Sequence, residues 1–311
     1  MELRALGNSG LRVSLVGLGC NNFGGRTGLE DSRKVIHHAL DLGINLLDTA
    51  DMYSNGESES VIGQVLGDRR KEVVLATKFG WPMDRAGLLQ GNSRRYLMRA
   101  VEASLRRLRT DWIDLYQIHQ PDPLTPIEET LRALDDLVRQ GKVRYLGCSN
   151  FAAWQVVDAQ WTARHHGLNA LVASQDEYSL LARGIEKDLL PAIKHCGLGL
   201  LPYFPLASGL LSGKYRRDAM PTEGRLATAK FFADRTLTPE NWERVERLAA
   251  LCDRRGHSLL ELAFSWLAAN PAVSSIIAGA TRPEQLDTNV KAVGWTLSAD
   301  ELAEIDRLTA A

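Results

Sequence analysis

Short apolar runs recur along the chain, and most are apolar throughout rather than alternating with polar residues. They read LVGLGC at 15–20, INLLDTA at 44–50, VVLATKF at 73–79, IDLYQIH at 113–119, RYLGCS at 144–149, LVASQ at 171–175, GLLPYF at 199–204 and SSIIAGA at 274–280. Unbroken apolar runs of this length are expected of strands covered on both faces. Segments with helical spacing separate them. Val35, Ile36, Ala39 and Leu40 fall on one face, as do Leu97, Val101, Leu105 and Leu108, and Ile127, Leu131, Leu134 and Leu137. Pro126 suits a first helical turn and Gly141 marks an end.

Strand and helix thus alternate about eight times, and right-handed βα crossovers repeated that often close into a (β/α)8 barrel. Two segments fall outside the repeat. LRALGNSGLRVS (3–14) predicts a β-hairpin turning at Gly7–Gly10, placed to plug the barrel bottom. The stretch 207–240 is polar and punctuated by Gly209, Gly213, Pro221, Gly224 and Pro239, which predicts a long functional loop. No shift in composition marks a boundary, so 1–311 is expected to form a single domain.

Composition narrows the classes. The 311 residues carry 37 Lys+Arg and 38 Asp+Glu, with 45% hydrophobic and 24% charged residues. Disorder requires lower hydrophobicity and a larger net charge. A net charge of −1 also argues against a nucleic-acid binder driven by bulk electrostatics. Cys20, Cys148, Cys196 and Cys252 lie far apart, without CxxC or zinc-ligand spacing. No metal site is expected. Buried thiols, no signal-peptide pattern and no membrane-length apolar run give the expectation of a cytoplasmic protein without a membrane partner.

Two apparent nucleotide motifs fail. GLGCNNFG has Gly17 and Gly19 but Asn22 in the third glycine's place. GLLSGKY has only three residues between Gly209 and Gly213, and Tyr215 follows Lys214 where Ser or Thr is needed. His37–His38 and His165–His166 are helix neighbours pointing about 100° apart, so neither pair can chelate.

The barrel directs attention to the C-terminal strand ends, where its chemistry sits. The second strand ends at Asp48, with Tyr53 five residues on; the third ends at Lys78 and the fourth at His119. Each alone has a structural explanation, as a cap, a loop anchor, a solvated tip or a core histidine. Convergence from three adjacent strands makes a chemical role the better one. A phenol is a poor acid at neutral pH unless a nearby ammonium stabilises its anion. Lys78 can supply that ammonium, Asp48 can hold it charged, and His119 can orient a carbonyl. The set suits general-acid reduction of a carbonyl by a cofactor-borne hydride.

INLLDTADMYSNGESESVIGQVL, LATKFG, DLYQIHQPD, GCSNF and PYFPLASGLLSGKY together resemble the aldo-keto reductases over residues 3 to 310. The likeness is to the bacterial branch that is also similar to potassium-channel beta subunits. It implies a (β/α)8 barrel using NADPH, or less often NADH, on a small carbonyl substrate. The family's tetrad falls on Asp48, Tyr53, Lys78 and His119. The resemblance further implies that Ser149, Asn150 and Gln175 hold the nicotinamide amide and that Tyr203 stacks on its ring. Leu206, Ser208 and Lys214 match the pyrophosphate loop, and Gly279, Thr281, Arg282, Gln285 and Asn289 match the adenosine end. Gly279 and the turn after it lead into a predicted helix, whose N-terminus favours phosphate. Asn150 could instead cap the following helix, and Arg282 could be solvated.

The chain departs from the family at Thr288, where many relatives are acidic, and at Ala278, where many have proline. The first strand ends Cys20–Asn21–Asn22, in place of a threonine-containing motif. Asn22, Phe23, Met52, Trp81 and Gln120 follow strand ends and are expected to line the substrate mouth. Two rival functions remain: a cofactor-sensing regulatory subunit like the channel subunits, and a Schiff-base lyase with Lys78 as nucleophile. The oligomeric state is not readable from the sequence.

Overall fold

The computed structural model describes residues 1–310. A hairpin of β1 (Leu3–Ala5) and β2 (Arg12–Ser14) opens the chain. Then follow β3 (Val16–Gly19), α1 (Leu29–Asp41), β4 (Leu46–Asp48), α2 (Glu57–Leu66), β5 (Val74–Phe79) and α3 (Arg94–Leu108). The alternation continues with β6 (Ile113–Ile118), α4 (Ile127–Arg139), β7 (Val143–Ser149), α5 (Ala153–His165), β8 (Leu171–Gln175) and α6 (Leu189–Cys196). After β9 (Gly199–Leu200) come α7 (Arg225–Thr228), α8 (Lys230–Thr236), α9 (Pro239–Arg255) and α10 (Leu259–Ala269). The chain finishes with β10 (Ile276–Gly279), α11 (Pro283–Lys291) and α12 (Ala299–Thr309).

The eight strands β3 to β10 pair in parallel, in the order β10-β3-β4-β5-β6-β7-β8-β9. Leu200 closes the circle. It bridges Val273 in parallel, its N–H donates to Ala272, and its carbonyl accepts from Ser274 N–H. The fold is a (β/α)8 barrel.

Strand alternation sorts the interior into two layers. Leu46, Val74, Ala76, Leu115, Ala173, Leu201 and Ile277 form an apolar layer, which Leu6 and Val13 of the hairpin segment join. The hairpin therefore seals the bottom. Gly7 makes the approach possible: it sits at φ +56°, and a Cβ there would lie 2.5 Å from the Val172 carbonyl oxygen. One step of two residues toward each strand's C-terminus carries the interior from Leu46 to Asp48, Ala76 to Lys78, Leu115 to Gln117 and Ala173 to Gln175. These four polar residues are all buried. The second layer is polar.

The segment 207–240, expected as a long functional loop, contains short helices as well as loop. It holds a distorted turn at Ala207–Ser212, then α7 and α8. Buried Leu210, Leu211, Tyr215 and Leu226 pin it to the barrel, and the Tyr215 hydroxyl accepts from Leu226 N–H at 3.3 Å. Pro239, taken above as loop punctuation, starts α9 after the Thr238 cap.

Candidate active site

Asp48 ends β4, and Lys78 lies near the end of β5. Lys78 is 0% exposed. Its ammonium donates to Asp48 Oδ2 at 2.8 Å and to the Thr49 carbonyl at 2.8 Å. Burial alone would lower the lysine pKa, but the Asp48 carboxylate, with the hydrogen bonds to Asp48 and Tyr53, outweighs it and the pKa ends above 10.5. Lys78 is a fixed cation. Two buried amides hold its partner: Gln175 Nε2 donates to Asp48 Oδ1 at 2.9 Å, and Gln117 Nε2 to the same oxygen at 3.4 Å.

Tyr53 follows on a tight turn built from left-handed residues. Ser54 has φ 48°, Asn55 φ 55° and Gly56 φ 91°. The turn directs the phenol over the barrel, with Lys78 Nζ 5.1 Å from its ring centroid. Burial raises the Tyr53 pKa above 10, while the Lys78 charge pulls it down. The net direction is thus opposite to that expected from the ammonium alone, because desolvation of the phenolate outweighs the attraction.

His119 follows β6, its N–H bonded to the Phe79 carbonyl at 2.9 Å. Its ring meets Tyr53 edge-on at 5.8 Å and Trp81 at 6.1 Å. Burial, helped by the Lys78 charge, drives its pKa far below 6.5, so the imidazole is neutral. Its buried Nδ1 has no hydrogen-bond partner. All four polar residues meet at one end of the barrel.

Beside them, Ser149 ends β7 and donates to the Gln175 carbonyl at 2.7 Å. Asn150 takes φ 61°. Its side-chain amide donates to the His119 carbonyl at 3.0 Å and accepts from the Tyr203 hydroxyl at 2.8 Å. It does not cap α5, whose N-cap is Ala152. Its backbone N–H is held instead by Asp176, buried and with a pKa pushed up to about 6 by desolvation.

The remaining candidates are spread along the rim. Leu206 precedes the distorted turn, and Ser208, at φ 58°, has a buried hydroxyl with no partner. Lys214 is exposed. Gly279 ends β10, Thr281 and Arg282 lead into α11, and Asn289 is buried in that helix. Gln285 Oε1 accepts from the N–H groups of Thr281 and Arg282 at 2.7 and 3.2 Å, so this helix start already carries an acceptor. Arg282 is exposed. Among the described residues, Lys214 and Arg282 form no ion pair.

At the mouth, Trp81 is 39% exposed, and Met52 and Gln120 are half-buried. Asn22 is buried against Gly279, where a Cβ would come 3.2 Å from its Nδ2. Phe23 departs from the expectation: it is fully buried in the main core. Its N–H bonds back to the Cys20 carbonyl at 3.1 Å, and that turn sends the ring inward rather than to the mouth.

Two features escaped the sequence. Gln117 reads as one position of an apolar strand, and nothing local marks it as a partner of Asp48. Arg225 lies over the rings of Phe204 and Phe232 at 5.3 Å each, with no ion pair among the described residues. Burial, then the charge of Arg26, lowers its pKa. One arginine among several in a polar stretch gives no local signal. Cys20, just after β3, is fully buried, and burial and the Asp48 charge push its thiol pKa well up. No cluster of three metal-ligating side chains occurs among the described residues, nor any helix long and apolar enough to cross a membrane.

This arrangement is chemically consistent with what similar proteins are. The chain is 37% identical to a probable voltage-gated potassium channel subunit beta of Arabidopsis thaliana, over 94% of this chain and 91% of that one. It is 40% identical to an uncharacterised oxidoreductase of Bacillus subtilis, over 97% and 94%. It is 34% identical to an L-glyceraldehyde 3-phosphate reductase of Escherichia coli, over 99% and 92%. The profile of the Aldo/keto reductase family matches residues 15–310, nearly the whole barrel. With the family profile spanning the fold and oxidoreductases among its relatives, the chain belongs to the aldo/keto reductase family and is an oxidoreductase.

Proposed function

We propose that this protein reduces an aldehyde or ketone to the alcohol with a nicotinamide dinucleotide, NADPH in preference to NADH. The observation that carries the reading is the buried Asp48–Lys78 pair beneath the Tyr53 ring. The cofactor supplies the hydride when bound. The donor set fits it. Ser208 offers a buried, unpartnered hydroxyl, and Lys214, Arg225 and Arg282 are cations without acidic partners among the described residues. Those groups suit the phosphates, with Arg282 suited to a 2′-phosphate. Ser149, Asn150 and Tyr203 already form one hydrogen-bonded set, suited to the nicotinamide end. Gln175 spends its amide nitrogen on Asp48 and keeps Oε1 as an acceptor.

The chain's own residues then handle the proton. Neutral His119 donates a hydrogen bond to the substrate oxygen and positions it. Tyr53, protonated because its pKa is raised, transfers its proton to that oxygen. The Lys78 ammonium stabilises the phenolate left behind, more strongly in a dry pocket than in water. Asp48 keeps Lys78 cationic. The same bond disfavours the Schiff-base reading, since a protonated lysine is no nucleophile.

The test is a screen of small aldehydes, ketones and aldose phosphates for NADPH oxidation, repeated with NADH. Tyr53→Phe is expected to lower kcat by ~10²–10⁴-fold while cofactor affinity holds. A variant as fast as the wild type on its best substrate would remove Tyr53 as the acid. The name carried by the Arabidopsis relative supports a second reading, a cofactor-sensing subunit of a membrane channel. The tetrad does not separate the two. Recovery of a membrane partner with the tagged protein, together with no turnover in the screen, would favour the second. Four free cysteines accord with a reducing compartment such as the cytoplasm.

A further inference from the structure

Residues following β7, β8 and β9 close a small ring of hydrogen bonds. Asn150 N–H donates to Asp176 Oδ1 at 3.1 Å, and the Tyr203 hydroxyl donates to Asn150 Oδ1 at 2.8 Å. Tyr203 N–H donates to the Asp176 carbonyl at 3.0 Å and completes the ring. Its members differ in reach. Asn150 is exposed and Tyr203 half-buried, whereas Asp176 is 3% exposed. The first two can touch a ligand, and Asp176 can act only through them.

Asn150 needs holding. Its φ of 61° is a left-handed conformation that persists in a residue with a side chain only where the surroundings impose it. Its N–H is shared between Asp176 Oδ1 and the Gln175 carbonyl, the latter at 3.3 Å. The carboxylate is the stronger acceptor, because a hydrogen bond to an ionised group is roughly twice as strong as a neutral one. Ser174 Oγ donates to the other carboxylate oxygen at 2.6 Å, and no cation pairs with it among the described residues. Burying a carboxylate without a cation is costly, and packing alone would be served by an apolar side chain. We propose that Asp176 is a positioning residue for the nicotinamide: its negative charge holds Asn150, and through Asn150 the Tyr203 hydroxyl, in the arrangement that grips the ring and its amide. This role presupposes a nicotinamide dinucleotide as the cofactor, as proposed above.

The charge is within reach of pH. Desolvation pushes the Asp176 pKa from 3.8 up to about 6, against the hydrogen bonds of Ser174 and Asn150. The titratable groups around it are neutral or paired. Burial holds the Cys148 thiol of β7 and the Cys196 thiol of α6 above their usual range, and pushes the Tyr203 phenol up to about 12. His119, whose carbonyl accepts from Asn150, is neutral, and Glu177 pairs with Arg235 of α8 at 2.7 Å. The ionised carboxyl is the form that grips, so dinucleotide affinity is full above about pH 7 and declines as pH falls through about 6.

Calorimetric titration with NADP⁺ from about pH 8 to about pH 5, on the wild type and Asp176→Asn, tests this role. Asparagine keeps an acceptor oxygen for Asn150 N–H and mimics the protonated acid. The variant should bind ~10-fold more weakly than the wild type at about pH 8 and within ~2-fold of it at about pH 5. The cofactor's 2′-phosphate and Asp51 titrate in both proteins and cancel from that ratio. NADPH at about pH 8 should show the same ~10-fold loss. In an Asn150→Ala background, Asp176→Asn should add less than ~2-fold. A ratio that does not change with pH, as a merely disturbed fold would give, overturns the role. So does full additivity with Asn150→Ala. A loss for NADP⁺ without one for NADPH overturns it too, since the carboxylate would then act on the charge of the ring and not through Asn150. A wild type that binds neither dinucleotide at any pH removes the cofactor reading and this role together, whereas a constant ratio in a wild type that binds tightly removes the role of Asp176 alone.

Discussion

At the residue scale, the active end of the barrel depends on a charge that burial opposes. Lys78 is tolerated there because Asp48 and the Thr49 carbonyl accept from it. Removing one partner of a buried pair costs more than removing both. Asp48→Asn is therefore expected to lower stability by ~3–5 kcal/mol, and Asp48→Asn/Lys78→Met by less, as read from urea unfolding. A second buried carboxyl behaves differently. Asp51, bonded by the Tyr96 hydroxyl at 3.2 Å, has its pKa pushed up from 3.8 to about 7 by desolvation, aided by the charge of Glu59. Its folded form holds a proton that the unfolded chain releases above about pH 4, so its contribution to stability falls as pH rises from about 4 to about 7. Above about 7 the loss is complete. Asp51→Asn should remove that part of the pH slope, and urea midpoints at pH 5 and 8 would show it. An unchanged slope would mean that Asp51 is ionised throughout.

At the element scale, close approach of backbones fixes where Tyr53 points. Helix α2 follows the Tyr53 turn and packs on α3 at Gly63, where a Cβ would lie 2.3 Å from the Arg107 carbonyl oxygen. Within the same pair of helices, Arg107 donates to buried Glu59 at 2.7 Å, and Glu59 accepts from Thr77, the neighbour of Lys78, at 2.6 Å. Gly63→Ala must push the helices apart and is expected to cost ~1–3 kcal/mol. Because α2 carries the turn before it, kcat should fall as well. A thermal melt and a turnover assay on the same preparation would separate the two effects. The helical spacing of α3 and α4 was plain in the sequence, since their buried stripes include Leu97, Val101, Leu131 and Leu134. Gly63 was not, because a glycine that admits another helix resembles any glycine inside a helical pattern.

At the scale of the whole molecule, the barrel has an apolar end and a reactive end, and the hairpin closes the first. Leu6, fully buried, joins side chains from β4, β5, β6, β8 and β10 in one cluster. Leu6→Ala should lower stability by ~2–5 kcal/mol through the cavity it leaves. Turnover per folded molecule should be unchanged, because the polar layer lies between the hairpin and the mouth. Denaturant unfolding and an active-site titration check the two halves. A large loss of kcat with little loss of stability would contradict the layered interior.

The alternation of apolar runs and helical stripes determined the barrel, because each strand and helix needs its own pattern to be buried. Asp48, Lys78 and His119 were also legible, since they stand out as polar groups at the ends of apolar strands, and Tyr53 follows the first of them in the next loop. Tertiary structure alone decided what long-range proximity controls. Phe23 turned into the core, Gln117 and Gln175 converged on Asp48, and α7 and α8 formed over the barrel where a loop was expected. Desolvation outweighed Lys78 in setting the Tyr53 pKa, and the tryptophans of α5 were left facing outward. None of these has a local signature, because burial and field at a site are sums over residues far apart in the chain.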